Sequence, residues 1–269
     1  MLIAIEGVDG SGKKTQTGLL LERLQRENRR ARRITFPNYA GEAAGAVKMY
    51  LRGDFGAEPN DVNPYAASTF YAVDRYASYK TDWGRFYEGG GIVIADRYTM
   101  SNMIHQGAKI TDAASRREYY DWLVDLEYVK IGLPEPDITV FLDLSMELRV
   151  RLIEKRGQSP ESAPGTAPNA AAGDAPTAEN YAAYAAAAAG DASTAGKNAV
   201  PVTAATGDAR RRAPDIHESS REYLNRAHIC AREAAALFGW NRVDAERGGT
   251  LRDAADIHQE IYNVISAFI

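Results

Sequence analysis

Short apolar runs alternate with segments of helical periodicity along most of this chain. Five runs have the length and composition of strands that are buried in a sheet. They cover residues 2–5, 34–36, 92–95, 138–142 and 240–243. Strands that alternate with helices in this way predict an α/β fold with a five-stranded parallel sheet.

Helical periodicity fills the intervals between these runs. In the first interval Leu20 and Leu24 repeat at helical spacing, which predicts a helix from residue 13 to about residue 27. Further helices are predicted over residues 42–51 and 64–88, as a pair over residues 100–130, over residues 146–155, from about residue 217, and from residue 250. Helices on both faces of the sheet would complete a three-layer sandwich.

The regular pattern stops between residues 158 and 209. Ala, Gly, Pro, Thr, Ser and Asn dominate this segment, which has almost no large aliphatic residues. Such a composition cannot bury enough apolar surface to offset the entropy lost on ordering. We therefore predict a disordered, alanine-rich insertion, in which residues 181–189 have the alanine content for a transient helix.

A glycine-rich loop follows the first predicted strand and opens the first predicted helix. Residues 7–13 read Gly-Val-Asp-Gly-Ser-Gly-Lys and match the G-x-x-x-x-G-K pattern. Glycines let backbone N–H groups approach phosphate oxygens, the helix N-terminus adds positive potential, and the lysine can reach the β- and γ-phosphates. We therefore predict a P-loop that binds ATP. Its predicted binding residues are Gly7, Val8, Asp9, Gly10, Ser11, Gly12, Lys13, Lys14 and Thr15.

The residue after Lys13 departs from the usual P-loop pattern. Lys14 stands where a Ser or Thr normally ligates Mg²⁺, and Thr15 follows one position later. Thr15 could take over by a shift of register. Alternatively, waters held by Asp9 and another carboxylate could carry the ion, because Mg²⁺ commonly retains several waters. We favour the water-mediated arrangement.

Several short motifs resemble one family, the thymidylate kinases, in their order and spacing. They are residues 6–13 with Thr15 and Gln16, Phe36-Pro37, residues 71–75, residues 96–98 with Ser101 and Asn102, and Pro136-Asp137. The resemblance covers residues 1–156 and resumes at about residue 210. It implies a single P-loop kinase domain over residues 1–269 that transfers the γ-phosphoryl group of ATP to thymidine monophosphate. It further implies Mg²⁺ as cofactor, small-molecule nucleotides as partners, and a homodimer.

By this resemblance, Tyr71 stacks on the thymine and Arg75 hydrogen-bonds the pyrimidine edge. Residues four apart lie on one helix face, so a flat ring and a planar donor can converge on one base. Asn102 is similar to a family residue that hydrogen-bonds the base, and His105 replaces an aromatic residue packed beside the sugar. The other predicted acceptor-binding residues are Phe36, Pro37, Tyr39, Arg97 and Ser101.

Asp96 and Arg97 come at the carboxyl end of a predicted strand, where open parallel sheets place their ligand crevices. A guanidinium group can bind two phosphate oxygens at once, so we predict that Arg97 clamps the acceptor phosphate. Similar arginines in the family bridge donor and acceptor phosphates. Asp96 would hold this arginine or help organise the waters of Mg²⁺, and a purely structural Asp96–Arg97 ion pair stays open. The predicted catalytic residues of the core are Lys13, Asp9 and Arg97.

A lid is predicted over residues 155–218, around the insertion. Lys155 and Arg156 precede the insertion, and Arg210, Arg211 and Arg212 follow it. An arginine that closes over ATP excludes water and stabilises the charge of the transferred group, and we assign this catalytic role to residues 210–212 collectively. Residues 215–218 resemble the D-x-Y-E stretch of the family lid, with His in place of Tyr. That match places Glu218 near the magnesium shell.

Composition and charge exclude several other classes of protein. The chain has 269 residues, a formal net charge of -4 and 45% hydrophobic residues, so no overall basic field favours nucleic acid or an anionic membrane. No apolar run approaches about 18 residues, and the first residues lack the features of a signal peptide. We therefore expect a cytoplasmic protein without a membrane partner. Cys230 is expected to be a buried core residue, and His228 and His258 ordinary helix residues.

Two alternative functions stay open from the sequence. A deoxynucleoside kinase attacks with a neutral hydroxyl and needs a carboxylate base, for which Glu6 is a candidate. A monophosphate acceptor needs no base, because its attacking oxygen is already anionic. A P-loop protein with Lys14 could also be a catalytically silent nucleotide sensor. Retention of Lys13, Asp9 and Arg97 argues against that second alternative.

Overall fold

The computed structural model describes residues 1–149, 151–152 and 221–269. The predicted insertion over residues 158–209 and the whole predicted lid over residues 155–218 lie outside these described residues, and with them Arg210, Arg211, Arg212 and Glu218. The single-domain organisation with a lid therefore stays a prediction.

Five parallel strands form the central sheet, in the order β2-β3-β1-β4-β5. They are β1 (Leu2–Gly7), β2 (Ala31–Thr35), β3 (Ile92–Asp96), β4 (Ile138–Asp143) and β5 (Asn241–Asp244). Strands β1 and β3 are buried along their whole length, as expected of inner strands covered on both faces. The predicted five-stranded parallel sheet is confirmed.

Helices separate the strands in the described parts of the chain. They are α1 (Lys13–Arg26), α2 (Gly45–Arg52), α3 (Pro64–Ser78), α4 (Gly84–Glu88), α5 (Met100–His105), α6 (Ala113–Val124), α7 (Arg221–Leu237) and α8 (Ala254–Ser266). Residues 146–149 and 151–152 are also helical. Three short 3₁₀ helices cover Glu42–Ala44, Pro59–Asp61 and Gly107–Lys109, and two π-helical segments cover Tyr79–Trp83 and Asp125–Lys130. No helix of the described residues has the length and apolarity needed to span a bilayer.

The hydrophobic core lies on both faces of the sheet. Successive side chains of a strand point to opposite faces, so Leu2 and Ala4 join a cluster that contains residues of α5, α6 and α7. Ile3 and Ile5 join the opposite cluster, which contains residues of α1 and α8. Two helical layers therefore enclose one sheet, and the three-layer sandwich is confirmed. Cys230 is a buried free cysteine, as predicted.

Three segments differ from their predicted forms. Strand β2 begins at Ala31 rather than at residue 34. Its start was missed because Arg32 and Arg33, which are partly exposed on this edge strand, carry no apolar signal. A hairpin of β6 (Glu246–Arg247) and β7 (Thr250–Leu251) precedes the last helix, which therefore begins at Ala254 rather than at residue 250. The segment predicted as one helix over residues 64–88 consists of α3, a π-helical segment and α4.

Candidate functional site

The loop between β1 and α1 has a backbone that only glycine accommodates. Gly12 caps α1 with a φ of 94°, in the left-handed region where other residues are strained. A Cβ atom on Gly7 would lie 2.7 Å from the backbone oxygen of Leu142 on the neighbouring strand. The predicted P-loop residues therefore occupy the expected strand–loop–helix position, at the carboxyl end of β1.

The Lys13 ammonium group lies against the loop itself. Its Nζ donates hydrogen bonds to the backbone oxygens of Gly7, at 2.8 Å, and Val8, at 2.9 Å. The pKa of Lys13 is lowered to about 8, because burial and nearby Arg97 outweigh Asp9 and other carboxylates, which oppose the shift. Both present acceptors are neutral, and an anionic phosphate oxygen is a stronger acceptor for an ammonium group. Lys13 is therefore held where a polyphosphate in the loop would compete for its protons.

Arg97 directly follows β3 and faces the P-loop. Its φ of 71° is unusual for a residue with a side chain, and such conformations cluster at functional sites. Its guanidinium group donates to the carboxylate of Asp9 and, at 3.3 Å, to Ser101 Oγ. Its NH1 atom also lies 3.3 Å from His105 Nε2. Three other predicted site residues, one from the P-loop and two from α5, thus meet around the guanidinium group of Arg97.

The Asp9 carboxylate lies between two arginines. Arg97 contacts one carboxylate oxygen, and the NH2 atom of Arg149 lies 3.8 Å from the other. Burial alone would raise the pKa of Asp9, but Arg97, Lys13 and Arg149 outweigh it and hold this pKa far below its ordinary value. Asp9 is therefore ionised at neutral pH. Arg149, which is 1% exposed in the helical turn after β4, was not among the predicted site residues.

The carboxylates near the loop fit a water-held Mg²⁺ better than a direct metal cage. Within residues 1–149, 151–152 and 221–269, no group of three or more His, Cys, Asp or Glu side chains could hold a metal ion. Mg²⁺ needs no such cage, since it usually takes one or two carboxylates together with waters and substrate phosphates. Asp9 and Asp96 both act electrostatically on Lys13, so two carboxylates lie near the loop. This donor set is compatible with the predicted water-mediated site.

A pocket beside the P-loop collects all nine predicted acceptor-binding residues. Its lining residues are Asp9, Phe36, Pro37, Tyr39, Leu51, Tyr71, Arg75, Arg97, Tyr98, Ser101, Asn102, His105 and Gln106. The segment over residues 36–39 is tied to α3 because the backbone N–H of Asn38 donates to Asp74 Oδ2 at 2.8 Å. Aromatic rings and charged groups therefore share one cleft, which is the arrangement expected for a small-molecule site.

Arg75 reaches this pocket from a buried ion pair. Its side chain is 1% exposed, and its Nε and NH2 atoms donate to Glu127 at 2.7 and 2.5 Å. Thr99 Oγ1 donates to the same carboxylate at 2.8 Å. Burial by itself lowers the pKa of Arg75, but the Glu127 charge outweighs burial and raises it. Arg75 is therefore a fixed cation, and Glu127 is a partner that the sequence analysis did not identify.

Gln106 is a second residue of the pocket that the sequence analysis missed. It is fully buried, and among the described residues neither its amide nitrogen nor its amide oxygen has a hydrogen-bond partner. Buried polar atoms are almost always paired, so these two atoms call for a ligand or a water in the pocket. Gln106 follows Asn102 by four residues, and this helical spacing was the signal that could have identified it.

Glu6, the candidate base of the alternative function, does not line the pocket. It is fully buried, and its carboxylate accepts hydrogen bonds from the backbone N–H of Tyr98, at 2.6 Å, and from Ser101 Oγ, at 2.7 Å. Burial raises the pKa of Glu6, although Arg97 and these hydrogen bonds oppose the shift. Both carboxylate oxygens therefore hold the segment after β3 against β1. Glu6 therefore has a structural role and is not placed to act as a general base.

Comparison with known proteins agrees with the motifs. The family model described as Thymidylate kinase matches residues 5–164 of the 269-residue chain. A thymidylate kinase from Mycobacterium tuberculosis (strain CDC 1551 / Oshkosh) is 36% identical over 149 residues, which are 55% of this chain and 68% of that relative. A thymidylate kinase from Homo sapiens is 29% identical over 145 residues, which are 54% of this chain and 61% of the relative. The predicted resemblance is confirmed.

Solved structures share the same architecture. A thymidylate kinase structure from Candida albicans superimposes with a TM-score of 0.57 at 18% identity, over 99% of this chain and 91% of the other. A thymidylate kinase structure from Ehrlichia chaffeensis superimposes with a TM-score of 0.55 at 17% identity, over 98% of each chain. At these identities the likeness shows a common fold.

Proposed function

The chain belongs to the thymidylate kinase family, and from that premise we propose that it transfers the γ-phosphoryl group of ATP to thymidine monophosphate, giving ADP and thymidine diphosphate. One observation carries this proposal. A single pocket contains Tyr71 and Arg75, which are assigned to base binding, and Arg97, which is assigned to phosphate binding and contacts Asp9 of the P-loop. Base recognition and phosphoryl transfer can therefore act on one nucleotide.

The pocket chemistry favours a 4-keto pyrimidine. Arg75 only donates hydrogen bonds, so the base atom opposite it has to be an acceptor, as the 4-keto oxygen of thymine is and the 4-amino group of cytosine is not. Gln106 offers one acceptor and two donors, which complement the N3–H group and a keto oxygen of the same base. Tyr71 is 9% exposed at the pocket and is assigned to stacking on the base.

The phosphate end of the pocket supplies positioning and charge. The P-loop amides and Lys13 bind the donor phosphates, and Arg97 binds the acceptor phosphate where the two nucleotides meet. The attacking phosphate oxygen is anionic, so no side chain has to remove a proton from it. Asp9 and Asp96 would hold Mg²⁺ through water, and the ion would then supply positive charge to the donor phosphates. The catalytic role of residues 210–212 and the metal role of Glu218 stay predictions.

A coupled assay of ADP release tests the proposed function directly. ATP and Mg²⁺ are offered with the monophosphates of thymidine, deoxyuridine, uridine, cytidine and adenosine in turn, and with thymidine itself. We expect the highest kcat/KM with thymidine monophosphate, and deoxyuridine monophosphate below it by about 10- to 200-fold, because one methyl group in an apolar pocket is worth that much.

Two other results of this assay would change the assignment. Turnover with thymidine alone would indicate a nucleoside kinase. Absence of turnover with all six acceptors, together with measurable ATP binding, would indicate a silent sensor. Equal turnover of deoxyuridine and thymidine monophosphate would leave the kinase assignment intact but refute the predicted preference for the 5-methyl base.

ATP affinity is expected to fall above pH 8. The pKa of Lys13 is about 8 without bound phosphate, and a polyphosphate favours the charged lysine. Above that pKa, binding must take up one proton, so the dissociation constant rises by about tenfold per pH unit. Titration calorimetry with ATP from neutral to alkaline pH measures this slope. A flat profile would contradict the placement of Lys13 at the phosphates.

Homodimer formation and a cytoplasmic location are also part of the proposal. Helix α3 presents Tyr65, Val73 and Tyr76 on one side with exposures of 36%, 55% and 41%, and an apolar side of this kind is typical of a subunit interface. Sedimentation analysis of the full chain tests the dimer. The one cysteine, Cys230, is unpaired and buried, which is compatible with a reducing compartment.

A further inference from the structure

The Arg75–Glu127 ion pair is more deeply buried than the predicted role of Arg75 in base binding requires. The two side chains are 1% and 0% exposed. Removing two charges from water is costly, and the cost is offset only by close geometry and additional hydrogen bonds. Both conditions hold here, because the pair is bidentate and Thr99 donates a third hydrogen bond to Glu127. The carboxylate is thus fully committed to fixing one arginine.

Glu127 owes its position to an unusual stretch of helix. Helix α6 continues into the π-helical segment Asp125–Lys130, in which backbone hydrogen bonds span five residues instead of the four of an α-helix. The backbone N–H of Ile131 closes this segment on the oxygen of Leu126 at 2.8 Å. Within the segment, Glu127 is buried whereas Val129 is 67% exposed, so the carboxylate faces inward and an apolar side chain faces out. Such segments are frequent at functional sites.

The contact geometry determines which donors of Arg75 remain for a ligand. The Nε–H group and one N–H of NH2 are directed at Glu127. A guanidinium group has five N–H donors in one plane, so the NH1 group and the outer N–H of NH2 remain. The backbone oxygen of Tyr98 lies 3.5 Å from NH1, which leaves only a weak contact on that side. Arg75 lines the pocket with these remaining donors.

We propose that Glu127 is the positioning residue for base selection: it locks the guanidinium plane of Arg75 so that a fixed edge of donors meets the base. This inference rests on the proposed function and deepens it, since Glu127 does not touch the nucleotide. A locked donor edge accepts a 4-keto pyrimidine and leaves its buried N–H groups unpaired against a 4-amino pyrimidine. A guanidinium group that is free to tilt would discriminate less between these two kinds of base.

The test compares Glu127→Gln with the wild-type full chain. The amide keeps the shape but donates an N–H toward Arg75, so one of the two ion-paired contacts is lost. We expect KM for thymidine monophosphate to rise about 10- to 100-fold, with KM for ATP unchanged. The ratio of kcat/KM for thymidine monophosphate over deoxycytidine monophosphate should fall at least about tenfold. Glu233→Gln is the matched control, because Glu233 pairs with Arg116 outside the pocket, and it should change none of these values.

A second variant covers the case in which Glu127→Gln does not fold. Thr99→Val keeps the ion pair and removes one hydrogen bond to Glu127, so KM for thymidine monophosphate should rise about three- to tenfold without a change in KM for ATP. A folded Glu127→Gln protein with an unchanged KM and an unchanged nucleotide ratio would overturn the inference. If that protein does not fold, an unchanged Thr99→Val protein would overturn it instead. Wild-type protein without activity on thymidine monophosphate would refute the proposed function itself, before either variant is compared.

Discussion

Replacing Lys13 with methionine is expected to lower kcat by about 10²- to 10³-fold, the usual effect of removing one group that stabilises transition-state charge. Lys13 is 6% exposed at the P-loop, and its ammonium is hydrogen-bonded to two backbone oxygens that a bound phosphate would replace. Methionine has a similar length and suits a buried position. The melting temperature should change little, because relief from burying the lysine charge offsets the loss of its two hydrogen bonds to the loop. Steady-state kinetics and thermal unfolding measure the two effects.

Lys80→Met is the matched control for this variant. Lys80 is exposed in the π-helical segment Tyr79–Trp83, away from the pocket lining, so the same change of side chain should leave kcat unaffected. In the Lys13→Met protein, ATP affinity should no longer fall above pH 8, because the group that titrates there has been removed. Unchanged kcat in a folded Lys13→Met protein would contradict the assignment of the donor phosphates to this loop.

Local patterns in the sequence were sufficient where one segment determines the structure. Inner strands are apolar on both faces, so β1, β3 and β4 were identifiable from short, mostly apolar runs. The P-loop was identifiable because strand, glycines and helix are contiguous in the chain. Strand β2 was placed only in part because Arg32 and Arg33 carry no apolar signal. The β6–β7 hairpin was missed because its two strands are too short to show alternation.

Contacts between distant segments could not be derived from local patterns. Arg75 and Glu127 are 52 residues apart, and Asp9 and Arg97 are 88 residues apart. The second contact joins two recognised motifs, but from the sequence Arg97 was paired with Asp96 and not with Asp9. The first contact joins a motif to a residue in a segment that shows only ordinary helical composition. Arg149 was missed for the same reason, since nothing around it in the sequence marks its approach to Asp9.

The pocket illustrates how motif-based prediction and packing complement each other. All nine predicted acceptor-binding residues line it, although their individual roles stay predictions. Gln106 was missed because a glutamine next to a motif is usually an exposed residue, and only its full burial without partners singles it out. A pocket residue such as Gln106, which is distinguished only by its burial, is therefore found from the structure and not from the sequence. The lid residues lie outside the described part of the chain.

Replacing Arg97 with methionine is expected to lower kcat by about 10³-fold or more, because arginines that stabilise a transferring phosphoryl group contribute about 10³ to 10⁵ in turnover. The guanidinium group of Arg97 lies between Asp9 of the P-loop and Ser101 of the acceptor pocket. This is the position at which donor and acceptor phosphates would meet. KM for thymidine monophosphate should rise as well, because the acceptor phosphate is bound before transfer. Stopped assays at saturating ATP separate the two constants.

Arg97→Lys distinguishes a need for charge from a need for a guanidinium fork. Lysine keeps the positive charge but cannot bind two phosphate oxygens in one plane, so this variant should recover only part of the lost kcat. If charge alone mattered, Arg97→Lys would match the wild type and the bridging role would be wrong. Arg117→Met, on the exposed side of α6, controls for the loss of an arginine in general and should leave kcat unchanged. Equal kcat in Arg97→Met, Arg117→Met and wild type would place the chemistry elsewhere. A kcat that falls from wild type to Arg97→Lys and falls further in Arg97→Met would show that both the charge and the guanidinium fork stabilise the transition state.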